Sequence, residues 1–143
     1  MIRVLSKLEQ QRLVDAIGRA EKNTSGEIRV HVEARCSVNA YERAVEVFFM
    51  LEMDKTMARN GVLIYVAVDD RKMAIIGDEG INKVVPENFW EETLHDMRLH
   101  FSMSQFTEGL ENAIERAGEK LKIYFPYDRN TDQNELSDAI SLG

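Results

Sequence analysis

A three-layer α/β/α sandwich around a small mixed β-sheet is the fold predicted by this 143-residue sequence. Three observations carry that expectation. Segments of helical and strand periodicity follow one another in the order α-β-α-β-β-α-α, which supplies helices to both faces of a sheet. The run Val62-Leu63-Ile64-Tyr65-Val66-Ala67-Val68 is apolar without a break, as a central strand covered on both faces requires. The acidic turn Asp69-Asp70-Arg71 then leads into Lys72 to Ile76, a return strand close enough to pair antiparallel.

The elements follow in order. Ser6-Lys7-Leu8-Glu9 reads as a capping box, in which the Ser6 hydroxyl and the Glu9 carboxylate satisfy free amides at a helix start. Leu13, Ala16, Ile17 and Ala20 then fall on one side of a helix that stops at Asn23-Thr24-Ser25-Gly26. Glu27 to Glu33 alternates, with Ile28, Val30 and Val32 on one face and Arg29, His31 and Glu33 on the other. That pattern predicts a strand with one wetter face. A second helix starts near Asn39 with the stripe Tyr41, Ala44, Val45, Phe48 and Leu51. The span from Glu33 to Val62 has the length of a parallel crossover.

The remainder reads as helical. Pro86 suits a helix's first turn or the residue ahead of it, and Phe89, Trp90, Thr93, Leu94, Met97 and Phe101 make the apolar face behind it. Phe106, Leu110, Ile114, Ala117, Leu121 and Phe125 recur every three or four residues until Pro126. Gly109 and Gly118 within that helix cost about 1 kcal/mol each if exposed, so they mark close helix packing. A fourth strand is expected over Met1 to Val4.

Composition narrows the function classes. The length suits one domain, which buries about 70% of its unfolded surface. Twenty-five acidic against eighteen basic residues give a net charge of -7, and no Lys/Arg run or aromatic RNA-binding motif appears. That argues against nucleic acid. The start lacks the apolar core of a signal peptide, and the longest apolar run is too short to span a bilayer. One cysteine, Cys36, excludes an intrachain disulfide. A cytoplasmic protein without membrane insertion is expected.

The stretch Arg59-Asn60-Gly61-Val62-Leu63-Ile64-Tyr65-Val66-Ala67-Val68-Asp69-Asp70-Arg71-Lys72 resembles the central signature of TPM domains. There an Asn-Gly-Val-Leu strand precedes an acidic turn, a basic residue and a second strand ending in glycine. Ile76-Gly77-Asp78-Glu79-Gly80-Ile81-Asn82 is similar to the family's glycine turn, and Ser25-Gly26-Glu27-Ile28 to its first-strand entry. The resemblance runs from about Leu5 to Tyr127. It implies a TPM-like domain over residues 1–127, an acidic tail over 128–143, and a short cytoplasmic bacterial type of member. Family members are linked to divalent-cation binding, acid phosphatase activity and photosystem repair, and many bacterial ones are encoded beside LemA-type membrane proteins. The resemblance therefore implies a non-catalytic or weakly catalytic interaction module near a membrane-associated partner of LemA type. Its alternative is a divalent-cation-dependent acid phosphatase. Two family carboxylates have no counterpart here: an aspartate ahead of the first helix, and a glutamate where this chain has Ile81.

The candidate chemistry is spread along the chain. Asp69 and Asp70 offer hard oxygen ligands for Ca²⁺ or Mg²⁺, and equally serve a hairpin turn. Asp78 and Glu79 precede a helix start, where negative charge suits the macrodipole, and form a second candidate cation cluster. One strand separates the two pairs, so they cannot share an ion. Adjacent aspartates on a strand point apart, unlike the D-x-D of aspartyl phosphotransferases. Cys36 and Arg43 miss the C-x5-R spacing of cysteine phosphatases, and the thiol is read as structural. His31, His95 and His100 lack metal-ligand spacing. Nucleotide-binding and serine-hydrolase motifs are absent.

Overall fold

The computed structural model describes residues 5–127 and 135–143. Helix α1 (Lys7–Glu21) opens with the expected capping box: the Ser6 hydroxyl accepts from the Glu9 amide at 3.1 Å, and the Glu9 carboxylate accepts from the Ser6 amide at 3.0 Å. Strand β1 (Glu27–Glu33) leads to α2 (Ala40–Met50), whose first amides donate to the Asn39 side chain. A 3-10 turn (Met53–Lys55) precedes the central strand β2 (Gly61–Ala67) and its neighbour β3 (Lys72–Gly77). The short α3 (Glu79–Asn82), α4 (Glu91–Ser102), α5 (Phe106–Tyr124) and the two-residue β4 (Ser141–Leu142) complete the fold.

The sheet order is β3-β2-β1-β4. Strand β1 runs parallel to β2 and β4, and β2 pairs antiparallel with β3, from Val62 opposite Gly77 to Ala67 opposite Lys72. The mixed sheet, its parallel connection and its hairpin are those the sequence predicts. Met1 to Val4 lie outside the described residues. Among the described residues a fourth strand comes from residues 141–142, anchored by the Gly143 amide, which donates to the Val32 carbonyl at 2.9 Å.

Side-chain alternation sorts the sheet into two cores. Ile28, Val30, Val32, Val62, Ile64 and Val66 face α1, α4 and α5, while Leu63, Tyr65, Ala67, Ala74 and Ile76 face α2. Each large apolar side chain buried this way contributes about 1.5–3 kcal/mol. Glycines let the helices on the first side approach. A Cβ at Gly118 would lie 2.8 Å from Ala20 Cβ, and one at Gly109 would lie 2.8 Å from His100 Cβ. Close packing against α1 and α4 offsets their low helix propensity.

Three local expectations are corrected. The side of β1 expected to be wetter is covered, with His31 only 4% exposed and Glu33 6%. Helix α2 is rotated from its expected stripe: it buries Ala44, Val47 and Phe48, and leaves Tyr41 61% exposed. No helix begins at Pro86. Turns run from Lys83 to Trp90, α4 starts at Glu91, and Phe89 and Trp90 are buried ahead of it. Their mutual ring contact, with centroids 4.6 Å apart, gives those side chains a packing site without helical backbone.

Candidate functional site at the strand ends

Strands β1 and β2 are parallel, so their following loops, residues 34–39 and 68–71, emerge at the same end of the sheet. Ligands of open α/β sheets bind beyond such carboxyl ends. Main-chain bonds tie the two exits together: the Val68 amide donates to Glu33 O, and the Asp69 amide donates to Ala34 O.

A buried polar network built around Glu33 dominates this end. The guanidinium of Arg43, on the second turn of α2, donates to Oε2 at 2.9 Å and to Oε1 at 3.0 Å. The Tyr65 hydroxyl donates to Oε2, and His31 Nε2 lies 2.9 Å from Oε1. The His31 ring stacks on Tyr65, and its Nδ1 lies 2.9 Å from Ser141 Oγ. Burial by itself would push the Glu33 carboxyl up. The bonds from Arg43, Tyr65 and His31 outweigh it and lower the carboxyl from the ordinary 4.5 to about 2. Tyr65 is shifted upward, first by burial and then by its bond to Glu33. Each of these side chains is engaged by another, which leaves no unengaged base and nucleophile among them.

The four sequence candidates fall in two separate places: Asp69 and Asp70 beside this network, and Asp78 and Glu79 at the opposite end of the sheet. Asp70 Oδ2 accepts from the Cys36 amide at 2.7 Å and so staples the two exit loops together. Asp69 is exposed in the turn. The ammonium of Lys72 donates to the carbonyls of Cys36 and Val38, at 3.0 and 2.8 Å. A divalent ion held by Asp69 and Asp70 would need neighbouring loop oxygens of this kind. Because a cationic side chain already occupies those carbonyls, the donor set fits a resident Ca²⁺ or Mg²⁺ poorly.

At the far end of β3, buried Asp78 caps α3 by accepting from the Glu79 amide at 2.7 Å. It also takes two bonds from Arg59, both at 2.8 Å. Glu79 is exposed and pairs with Arg59 and Lys83. Among the described residues no group of three or more His, Cys, Asp or Glu side chains is arranged to hold a metal ion. The Cys36 thiol is buried and donates to the Val38 carbonyl at 3.1 Å. Arg43, committed to Glu33 and Glu46, is not available to cradle a phosphate beside that thiol.

Glu33, Tyr65, Arg43 and Ser141 are the residues sequence reasoning missed at this end. A signal was present for Glu33. If helices cover both faces of the sheet, the second face of β1 must also be buried, and an acid there needs partners.

A groove of about 520 Å³ lies above the network, lined by Glu33, Arg35, Cys36, Ser37, Glu42 and Arg43 among others. The outer side of α2 beside it carries Tyr41, Val45 and Phe49 at four-residue intervals, with Tyr41 and Phe49 mostly exposed. No helix among the described residues is long and apolar enough to cross a membrane.

A family model, the TPM domain, matches residues 2–120. The chain belongs to the TPM-domain family. This TPM domain is similar to the BA42 protein of the psychrophilic bacterium Bizionia argentinensis, whose NMR structure it matches with a TM-score of 0.90 at 48% identity. That match covers 97% of this chain and 95% of BA42. The N-terminal domain of a P. gingivalis protein matches at 16% identity with a TM-score of 0.71, over 89% of this chain and 83% of that one. The N-terminal domain of the cg2496 protein of Corynebacterium glutamicum matches at 12% identity with a TM-score of 0.64, over 80% and 72%. These last two share the fold. No curated protein matches the chain.

Proposed function

We propose that this TPM domain is a binding module without efficient hydrolytic chemistry, and that it docks a membrane-associated protein of LemA type. One observation carries the first half: three of the carboxylates at the strand ends are already engaged by the protein, and Asp69 stands exposed without a second free carboxylate beside it. Glu33 is held by Arg43, Tyr65 and His31, Asp70 by the Cys36 amide, and Asp78 by Arg59 and the Glu79 amide. General acid–base work needs a carboxyl whose proton is exchangeable near neutral pH. Glu33, shifted down to about 2, is far from that range.

The exposed stripe on α2 supports the docking half. Phe49 is 55% exposed and Met57, in the loop beyond, 92%. Large apolar side chains gathered on one face mark interaction surfaces. The LemA assignment rests on the family resemblance.

Two measurements test the proposal. Turnover of p-nitrophenyl phosphate with Ca²⁺, Mg²⁺ or EDTA should stay at the level of the buffer, and Asp69→Asn and Asp70→Asn should leave it there. Repurified activity lost in those variants would restore the cation-dependent phosphatase. Titration with the soluble part of a LemA-type protein should shift amides of α2, and Tyr41→Ala with Phe49→Ala should abolish those shifts. Shifts that ignore both substitutions would remove α2 as the docking face.

A further inference from the structure

On the α4/α5 side of the sheet, just past the end of β2, is a cavity of about 280 Å³ that neither the Glu33 network nor the α2 stripe uses. Two kinds of residue line it. Val66, Val68, Met73, Phe101 and Phe106 are buried or half-buried and apolar. Arg71, Arg98 and Ser104 are exposed and polar. The cavity thus has an apolar interior and a cationic rim, in a chain whose net charge is -7.

The rim cations are uncommitted. Arg12, Arg19, Arg43, Arg59 and Arg116 each pair with a carboxylate. Among the described residues neither Arg71 nor Arg98 has an ion pair or side-chain hydrogen bond. Lys72, the third cation of the lining, is turned to the Cys36 and Val38 carbonyls. Arg71 and Ser104 also share a backbone feature: both take the left-handed conformation, at φ 53° and 59°. It is uncommon outside glycine, and each sits at a tight turn bordering this cavity.

We infer that this cavity binds a small amphiphilic carboxylate, with its chain or ring among Phe101, Phe106 and Met73 and its oxygens at Arg71 and Arg98. The planar guanidinium fork matches a carboxylate and is more weakly hydrated than an ammonium, so it suits a partly desolvated rim. Few, well-placed polar groups around an apolar recess are the usual make-up of a small-ligand site, and this volume falls just below the range for drug-sized ligands, as suits a smaller one. The aromatic and thioether lining selects for an apolar body, which inorganic anions lack. The site stands apart from the α2 face and does not depend on any partner docking there.

The probes are octanoate, octanol and inorganic phosphate, added separately to the ¹⁵N-labelled protein. Octanoate should give saturable shifts confined to residues 66–73 and 98–106. Arg71→Gln combined with Arg98→Gln should weaken it about tenfold or more, the loss expected for charge-assisted bonds. Both side chains are exposed and unpaired among the described residues, so the double variant should keep the wild-type spectrum elsewhere and its denaturant midpoint. Octanol binding as tightly as octanoate would overturn the role of the arginines. Phosphate displacing octanoate at equal concentration would reduce the cavity to a simple anion site and overturn the apolar selectivity. Octanoate shifts that fall on α2, or that survive the double substitution, would overturn the location.

Discussion

Strand β1 buries a glutamate near each end, and the two are treated in opposite ways. Glu33 meets a guanidinium, a phenol and an imidazole, and is held ionised. Glu27, at the other end, receives the amides of Glu135 and Leu136 at 2.6 and 2.7 Å but, among the described residues, no cation, and burial shifts its carboxyl upward. Its neighbour Glu21, which accepts from the Ile28 amide, is pushed to about 9 by burial and by its hydrogen bond with Asp138. Partner type, more than depth, decides whether a buried acid keeps its charge. The same contrast separates the two ends functionally. The Glu33 end is charge-balanced, while the Glu21–Glu27 end holds residues 135–138 through acids whose carboxyls burial shifts upward.

Removing the balancing cation should break that contrast most severely. Arg43→Ala leaves Glu33 buried and short of its main partner, and is expected to cost about 3–5 kcal/mol. Urea midpoints read the loss. A drop below about 1 kcal/mol would mean that solvent already screens the pair. The sign with pH follows from the depressed carboxyl. Stability supplied by Glu33 is fully present above its ordinary 4.5 and is lost as pH falls toward about 2. Acid titration of the wild type should therefore show a component that Arg43→Ala lacks.

Ile114→Ala sharpens the comparison by removing burial without charge. Ile114 is fully buried on α5, in the larger core, and truncation should cost about 2–5 kcal/mol. That loss should be the same at every pH between 3 and 9. A pH-dependent loss would show that the helical layer and the carboxylate network are coupled.

The smallest signal is a slope. Glu21 has a raised folded-state value, so its contribution is fully present below about 4.5 and declines as pH rises through about 9. Glu27 shares the direction. Glu21→Gln should flatten the fall in stability over that window, where one proton accounts for no more than about 1.4 kcal/mol per pH unit. Amide protection at residues 135–143 should fall with rising pH in the wild type and hold steady in the variant. Identical slopes in both proteins would sink the assignment.

Much of the fold was legible. The capping box at Ser6, the unbroken run in β2 and the regular stripe of α5 are local patterns, and local patterns survive folding when they agree with the tertiary demand. Boundaries and helix faces were less legible. Helix α2 has apolar residues on more than half its circumference, so periodicity left open which of Tyr41, Val45, Val47 and Phe49 turned inward. Contact with β2 and β3 decided it. For the candidate site, Asp78 as a helix cap was readable from its place before α3. Asp70 as a staple to the Cys36 amide was not, because its partner is 34 residues away.

The sequence by itself determined the order of the main elements from α1 to α5, the central hairpin, the helix starts with side-chain caps and the family. Each rests on spacings of a few residues, over which backbone geometry links pattern to structure. Tertiary structure alone decided where the polar groups meet. Glu33 gains Tyr65 by strand pairing and Arg43 by the packing of α2, and His31 gains Ser141 from a two-residue strand more than a hundred positions further along the chain. The cavity rim at Arg71 and Arg98 likewise joins a β-turn to a helix that only sheet packing brings alongside. Long-range meetings of this kind depend on which surfaces fit together, and no local pattern encodes that fit.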